Sequence, residues 1–135
     1  MTFQLEAQST WYNELGSKMI LNIDGNGGLL GQYYSAVGTA PASEILSGRY
    51  TLHGPSTIGW AVAWSKVNAT TSWSGQIILI NNIPTIVTTW LLTSQTSETD
   101  EWESTLTDQD VFTTTPPTEE QMAEAKIRRG KSHPK

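Results

Sequence analysis

Apolar and polar residues alternate in short runs through most of this chain. Trp60, Val62 and Trp64 share one face of GWAVAW, Thr71, Trp73 and Gly75 one face of TTSWSGQ, and Thr88, Trp90, Leu92 and Ser94 one face of TTWLLTS. A period of two is the mark of a strand with one buried face. Followed along the sequence, it predicts eight strands over 9–15, 18–23, 29–37, 45–53, 59–66, 70–80, 85–94 and 102–112. Turn signals separate them at short spacing: Asp24-Gly25-Asn26-Gly27-Gly28, Gly54-Pro55-Ser56, and Asn81-Asn82 with Pro84. After Pro116-Pro117 the period changes. TEEQMAEAKIRR opens with a capping-box pair, Thr118 and Gln121, carries acids first and bases last, and is followed by Gly130. The chain therefore divides into a β domain over 1–117 and a helical or flexible tail over 118–135.

Eight antiparallel strands with short links leave no exposed edge if they close into an up-and-down barrel. The fold class expected is all-β, an eight-stranded antiparallel up-and-down barrel with a short C-terminal helix or tail. Such a barrel has room inside for side chains or one small ligand. Trp11, Asn13, Leu15 and Ser17 form a further one-face set, if the first strand runs that far. Tyr33, Ser35 and Val37 form another, and Leu106, Asp108 and Asp110 another. Pointed inward together, these sets give indole walls with hydrogen-bonding groups at one end.

Composition sharpens that picture. Six tryptophans in 135 residues are more than a core of Val, Ile and Leu needs, because each indole N–H wants a partner. Interleaved with Ser, Thr, Asn, Tyr and Asp, they suit the lining of a small-molecule pocket. Trp11 and Trp60 read as core or barrel floor. The absence of cysteine excludes disulfides and thiolate zinc sites. The net charge is −5, and residues 1–117 hold three bases against ten acids. An acidic body argues against a nucleic-acid partner, and the basic tail reads as solubilising. No apolar run approaches the ~20 residues of a membrane span, so no membrane partner is expected. MTFQLEAQSTW has no signal-peptide pattern, making a cytoplasmic location the expectation. Glu98, Asp100, Glu101 and Glu103 read as a solvated face, and His53 and His133 suggest no metal site. The sequon at Asn68-Ala69-Thr70 reads as chance.

Seven motifs in order carry a more specific signal: TWYNELGSKM, GQYYSAVG, LSGRY, GWAVAW, SWSGQ, WLLTS, and WESTL with Asp110 and Phe112 behind it. Over roughly residues 10–117 they resemble the avidin and streptavidin family of biotin-binding proteins, most of all its streptavidin-like and fungal avidin-like branch. The resemblance implies biotin as ligand, with no catalysis and no cofactor. Asn13, Ser17 and Tyr33 match the family's three donors to the ureido oxygen. Ser35 and Asp110 match the acceptors of the ureido N–H groups, the acid being bonded to the asparagine in family members. Thr71 matches the hydroxyl facing the thioether sulfur. Trp64, Trp73 and Trp90 match the walls, filled around by Leu15, Val37 and Leu92, and Trp102 matches a tryptophan that a neighbouring subunit lays over the ligand. A homo-oligomer follows, with a dihedral tetramer as the family expectation. The outward set Val87, Thr89, Leu91 and Thr93 is a mixed apolar surface consistent with burial in an assembly.

The departures lie mostly at the mouth. Counting back from Trp73 puts Ala69 where streptavidin has a serine that binds the biotin carboxylate, with Thr70 as the substitute if the loop shifts by one. Thr39 stands where streptavidin has asparagine, at a contact made through the backbone. Both changes touch the valerate tail, so biotin conjugates are expected to bind about as well as free biotin. The segment 51–58 is several residues short, and Gln109 replaces a histidine of a subunit contact.

Two other classes stay open at this level. A barrel carrying an apolar ligand or a glycan would also use tryptophan platforms, but would leave the ordered motifs to coincidence. A hydrolase lacks a buildable Ser–His or Cys–His arrangement, and Asp108 and Asp110 lie on one strand without a visible partner that raises a pKa.

Overall fold

The computed structural model describes residues 3–36, 43–97 and 104–129. Eight strands follow in chain order: β1 Gln8–Tyr12, β2 Lys18–Ile23, β3 Gly28–Tyr34, β4 Glu44–Tyr50, β5 Thr57–Trp64, β6 Ala69–Ile80, β7 Ile83–Ser94 and β8 Thr105–Thr113. One helix, α1 Glu119–Arg129, ends the described chain. The strands pair antiparallel with their sequence neighbours and close into a barrel in the order β1 to β8. This is the architecture the alternation predicts.

The turns explain the closure. Asn81 and Asn82 both sit at positive φ, 52° and 64°, as a two-residue primed hairpin between twisted strands requires. Register then puts Trp60 opposite Trp73, Trp73 opposite Trp90, and Trp90 opposite Asp108. Directly opposed residues share a face, so one inward row crosses four strands. Trp11, Met19, Leu21, Tyr33, Leu46, Val62, Trp73, Ile86, Trp90, Leu92 and Phe112 fill the interior.

The weak point is the seam. β7 and β8 pair from Thr85↔Thr113 to Thr93↔Thr105. β1 meets β8 at Tyr12↔Thr113 alone. Barrel strands are staggered, so the chain after Tyr12 passes β8 as a turn and forms no ladder with it.

That turn corrects one expectation. The strand predicted over 9–15 stops at Tyr12, and Asn13–Ser17 is a closed turn in which the Asn13 N–H donates to the Ser17 carbonyl at 3.0 Å and Gly16 N–H to the Asn13 carbonyl at 3.1 Å. The strand predicted over 45–53 ends at Tyr50, and the one predicted over 102–112 begins at Thr105 among the described residues. The capping box forms as its sequence predicts. Gln121 N–H donates to Thr118 Oγ1 at 3.1 Å, and Thr118 N–H donates to Gln121 Oε1 at 2.8 Å.

Candidate ligand-binding site

The Asn13–Ser17 turn forms because the asparagine side chain takes the place of a strand partner. Asn13 Oδ1 accepts the Leu15 N–H at 3.0 Å and the Ser17 N–H at 2.9 Å, an Asx-type closure. Gly16 supplies the left-handed residue, with φ of +90°. These bonds decide which atoms remain available. With Oδ1 committed to two amides, the Asn13 side chain offers its amide protons. Ser17 Oγ accepts the Ala36 N–H at 2.9 Å, leaving its own O–H to donate. Asn13, Leu15 and Ser17 are all buried.

Tyr33 lies beside this turn, at the inner face of β3. Among the described residues its hydroxyl is buried without a hydrogen-bond acceptor, and the indole N–H groups of Trp60 and Trp90 are buried without a partner. Burial and the neighbouring Asp110 charge push the phenol well above its ordinary range, against smaller opposing effects of the Ser17 hydroxyl, close enough to donate to the phenol oxygen, and of the Arg129 charge. The phenol therefore keeps its proton and is a donor at any ordinary pH. Its ring lies 4.9 Å from the Trp73 ring, and Trp73 stacks on Trp60 at 5.5 Å and 16°. Phe112 stands edge-on to both Tyr33 and Trp60. The rings form one wall.

Two polar contacts pin that wall. Trp64 Nε1 donates to Thr71 Oγ1 at 2.8 Å, so the threonine hydroxyl keeps a proton to give. Trp73 Nε1 donates to Asp110 Oδ2 at 3.0 Å. Asp110 is fully buried, and desolvation raises its pKa, with Trp73 and Arg129 holding the rise back.

The partner on its other oxygen comes from α1. Arg129 Nη1 donates to Asp110 Oδ1 at 2.8 Å, and Nη2 donates to the Gln109 carbonyl. Among the described residues no bond joins Asp110 to Asn13, so the asparagine–acid contact expected from the resemblance is replaced here by an arginine. Reading the basic tail as merely solubilising therefore fails at Arg129. The signal was present as spacing, since Met122, Ala125 and Arg129 fall on one helical face.

The remaining expected residues are placed unevenly. Trp64, Thr71, Trp73, Trp90, Leu92 and Asp110 lie on the inner faces of β5 to β8 and are buried. Ser35 follows β3 and is half-buried. Val37, Thr39 and Trp102 lie outside the described residues, as do Glu98, Asp100, Glu101, Glu103, Gly130 and His133. Trp11 and Trp60 are buried. Ala69 is buried opposite Trp64, whereas Thr70 pairs with Ala63 on the exposed outer face. Thr70 therefore does not stand in for the missing serine. Among the described residues no group of three or more His, Asp or Glu side chains could hold a metal ion.

Comparison with known proteins agrees with this geometry. The model of the Avidin family matches residues 1–115. Avidin from Gallus gallus is 32% identical over 115 residues, covering 76% of this chain and 74% of that protein. Fibropellin-1 from Strongylocentrotus purpuratus is 26% identical over 96 residues, 68% of this chain but 9% of that much longer protein. With a closed eight-stranded barrel, a buried indole wall and a family match over nearly all of the barrel, this chain belongs to the avidin family.

Proposed function

We propose that this protein binds biotin, tightly and without catalysis, inside the barrel. The observation that carries the reading is Tyr33 Oη, buried and without an acceptor among the described residues, with the Ser17 hydroxyl close by and a turn whose bonds leave the Asn13 amide protons and the Ser17 O–H as donors. An unmet buried polar group costs about 1–3 kcal/mol, and a ligand carbonyl relieves it. Three donors on one ureido oxygen draw charge onto it and so strengthen each bond. Asp110 and Ser35 accept the ureido N–H groups, Thr71 faces the sulfur, and Trp64, Trp73 and Trp90 enclose the rings with Leu15, Leu92 and Val37. Thr39 meets the valerate tail through its backbone. Membership of the avidin family supports the same ligand.

In this reading Trp102 closes the pocket of a neighbouring subunit in a homotetramer, which links ligand binding to assembly. The exposed side chain of Leu91 on the outer face of β7, 52% accessible, provides an apolar surface for it. A barrel holding its donors in place before the ligand arrives loses little to ordering, which favours sequestration over exchange. Purified protein should therefore starve a biotin-requiring microbe, and undiminished growth at excess protein would refute sequestration.

Retention on biotin-agarose, abolished when the protein is first saturated with free biotin, and no retention on a matching sugar or fatty-acid resin, tests the ligand. Passage through the biotin resin by folded protein would sink the reading.

A further inference from the structure

Beyond Tyr12↔Thr113, no strand among the described residues pairs with β8 on its β1 side, and α1 lies across that gap. Met122 Sδ reaches to 2.6 Å from where a Cβ on Gly16 would stand, Ala125 is fully buried, and the Arg129 side chain is 8% exposed. These residues recur at helical spacings of three and four, so one face of the helix is fastened to the seam. From there Arg129 bonds Asp110 Oδ1 and the Gln109 carbonyl.

We propose that Arg129 is a positioning residue of the ligand site: docked across the seam by α1, it fixes the Asp110 carboxylate by one oxygen so that a ligand N–H meets a charged, oriented acceptor. The ligand half of this inference rests on the biotin reading.

The argument is one of lone pairs and charge. An ionised carboxylate has about four acceptor positions, and Arg129 and Trp73 take one on each oxygen. Two remain. A carboxyl removed from water stays charged only beside a counter-charge with good hydrogen bonds, and the indole alone is neutral. If the acid were protonated, one oxygen would become a donor and could repel the ligand N–H it should accept. Among the described residues, the charged and titratable groups around Asp110 are Arg129 from α1, Glu14 from the turn after β1 at 3.8 Å from Arg129, Asp108 on β8 at 3.9 Å from Arg129, and Tyr33 on β3. Arg128 lies 3.8 Å from Glu14, well exposed. Among the described residues Arg129 is the cation bonded to the carboxylate. Asp110 is raised by burial and held back by Arg129, so losing the guanidinium moves it further up.

The test uses full-length protein with nitrogen-15 in its indoles, as wild type, Arg129→Gln and Arg129→Lys. The Trp73 indole N–H, bonded to Asp110, reports the carboxyl as pH is lowered. Arg129→Gln should titrate at higher pH than wild type, with Arg129→Lys between them. Coincident midpoints overturn the inference. If Arg129→Gln does not fold, Arg129→Lys decides, since a midpoint at or below that of wild type is contrary to it. Biotin titrations of the same proteins should show roughly tenfold weaker binding by Arg129→Gln, worsening as pH falls. Tighter binding by Arg129→Gln would mark the guanidinium as a competitor and overturn the inference. If wild type itself ignores biotin, the ligand reading fails while the indole titration still judges Arg129.

Discussion

Trp73 donates its indole N–H to Asp110 Oδ2 at 3.0 Å, from β6 to β8 across the intervening β7. The wall of the site and its acid are thus one unit. Trp60 stacks on the same indole and the Tyr33 ring lies tilted against it at 4.9 Å, so a change at any of these rings is felt by the carboxylate.

Tyr33→Phe removes a donor that nothing in the described chain accepts. Thermal stability should hold or rise, because an unmet buried polar group is lost. Biotin binding should weaken by about 1.5–3 kcal/mol, or roughly ten- to a hundredfold. Melting curves beside calorimetric titration separate the two effects, and a large fall in stability would place the hydroxyl in the fold instead of the site.

Asp110 gives a pH dependence with a fixed sign. Burial raises its folded pKa above the unfolded value near 3.9, so the folded chain holds this proton to higher pH than the unfolded chain does. Its contribution therefore favours folding below the unfolded pKa and is lost as pH rises through the folded one. Asp110→Asn mimics the protonated form throughout. The melting temperature of Asp110→Asn minus that of wild type should grow from acid toward neutral pH; a shrinking difference would mean that the Arg129 pair outweighs burial.

Gly16→Ala strikes both the Asn13–Ser17 turn and the docking of α1. A side chain at φ +90° is strained, and the added Cβ meets Met122 Sδ. The backbone effect alone is roughly 1–2 kcal/mol. Urea unfolding should show that loss, and amide exchange should speed up in α1 more than in β5 or β6. Unchanged exchange in α1 would separate the helix from the turn.

Leu91 lies on the outer face of β7. Leu91→Glu puts a charge on the surface proposed to pair with another subunit, and light scattering should find a smaller particle with its barrel intact. An unchanged mass would move the interface elsewhere.

The barrel was legible because alternation and turn chemistry agree strand by strand. Asn81-Asn82 fixes one hairpin, and the indole row follows from register. The Asn13–Ser17 turn was not legible as a turn, because burial keeps alternating through Trp11, Asn13, Leu15, Ser17 and Met19. An Asx closure sends alternate side chains inward much as a strand does, and only the bonds to Asn13 Oδ1 distinguish the two. Whether Thr70 or Ala69 faces the mouth was open in the sequence for a related reason. The face of Thr70 depends on where the Ser65–Asn68 turn ends, and one residue of register reverses it. The arginine on Asp110 was hidden by distance, since nineteen residues and a docked helix separate the partners. Composition shows a basic tail but not which cation turns inward.

The most direct measurement is a biotin titration followed by tryptophan fluorescence and by light scattering on one sample. The account predicts a saturating spectral change at one biotin per chain, on a particle of four chains. A flat fluorescence trace from folded protein at micromolar biotin would contradict it.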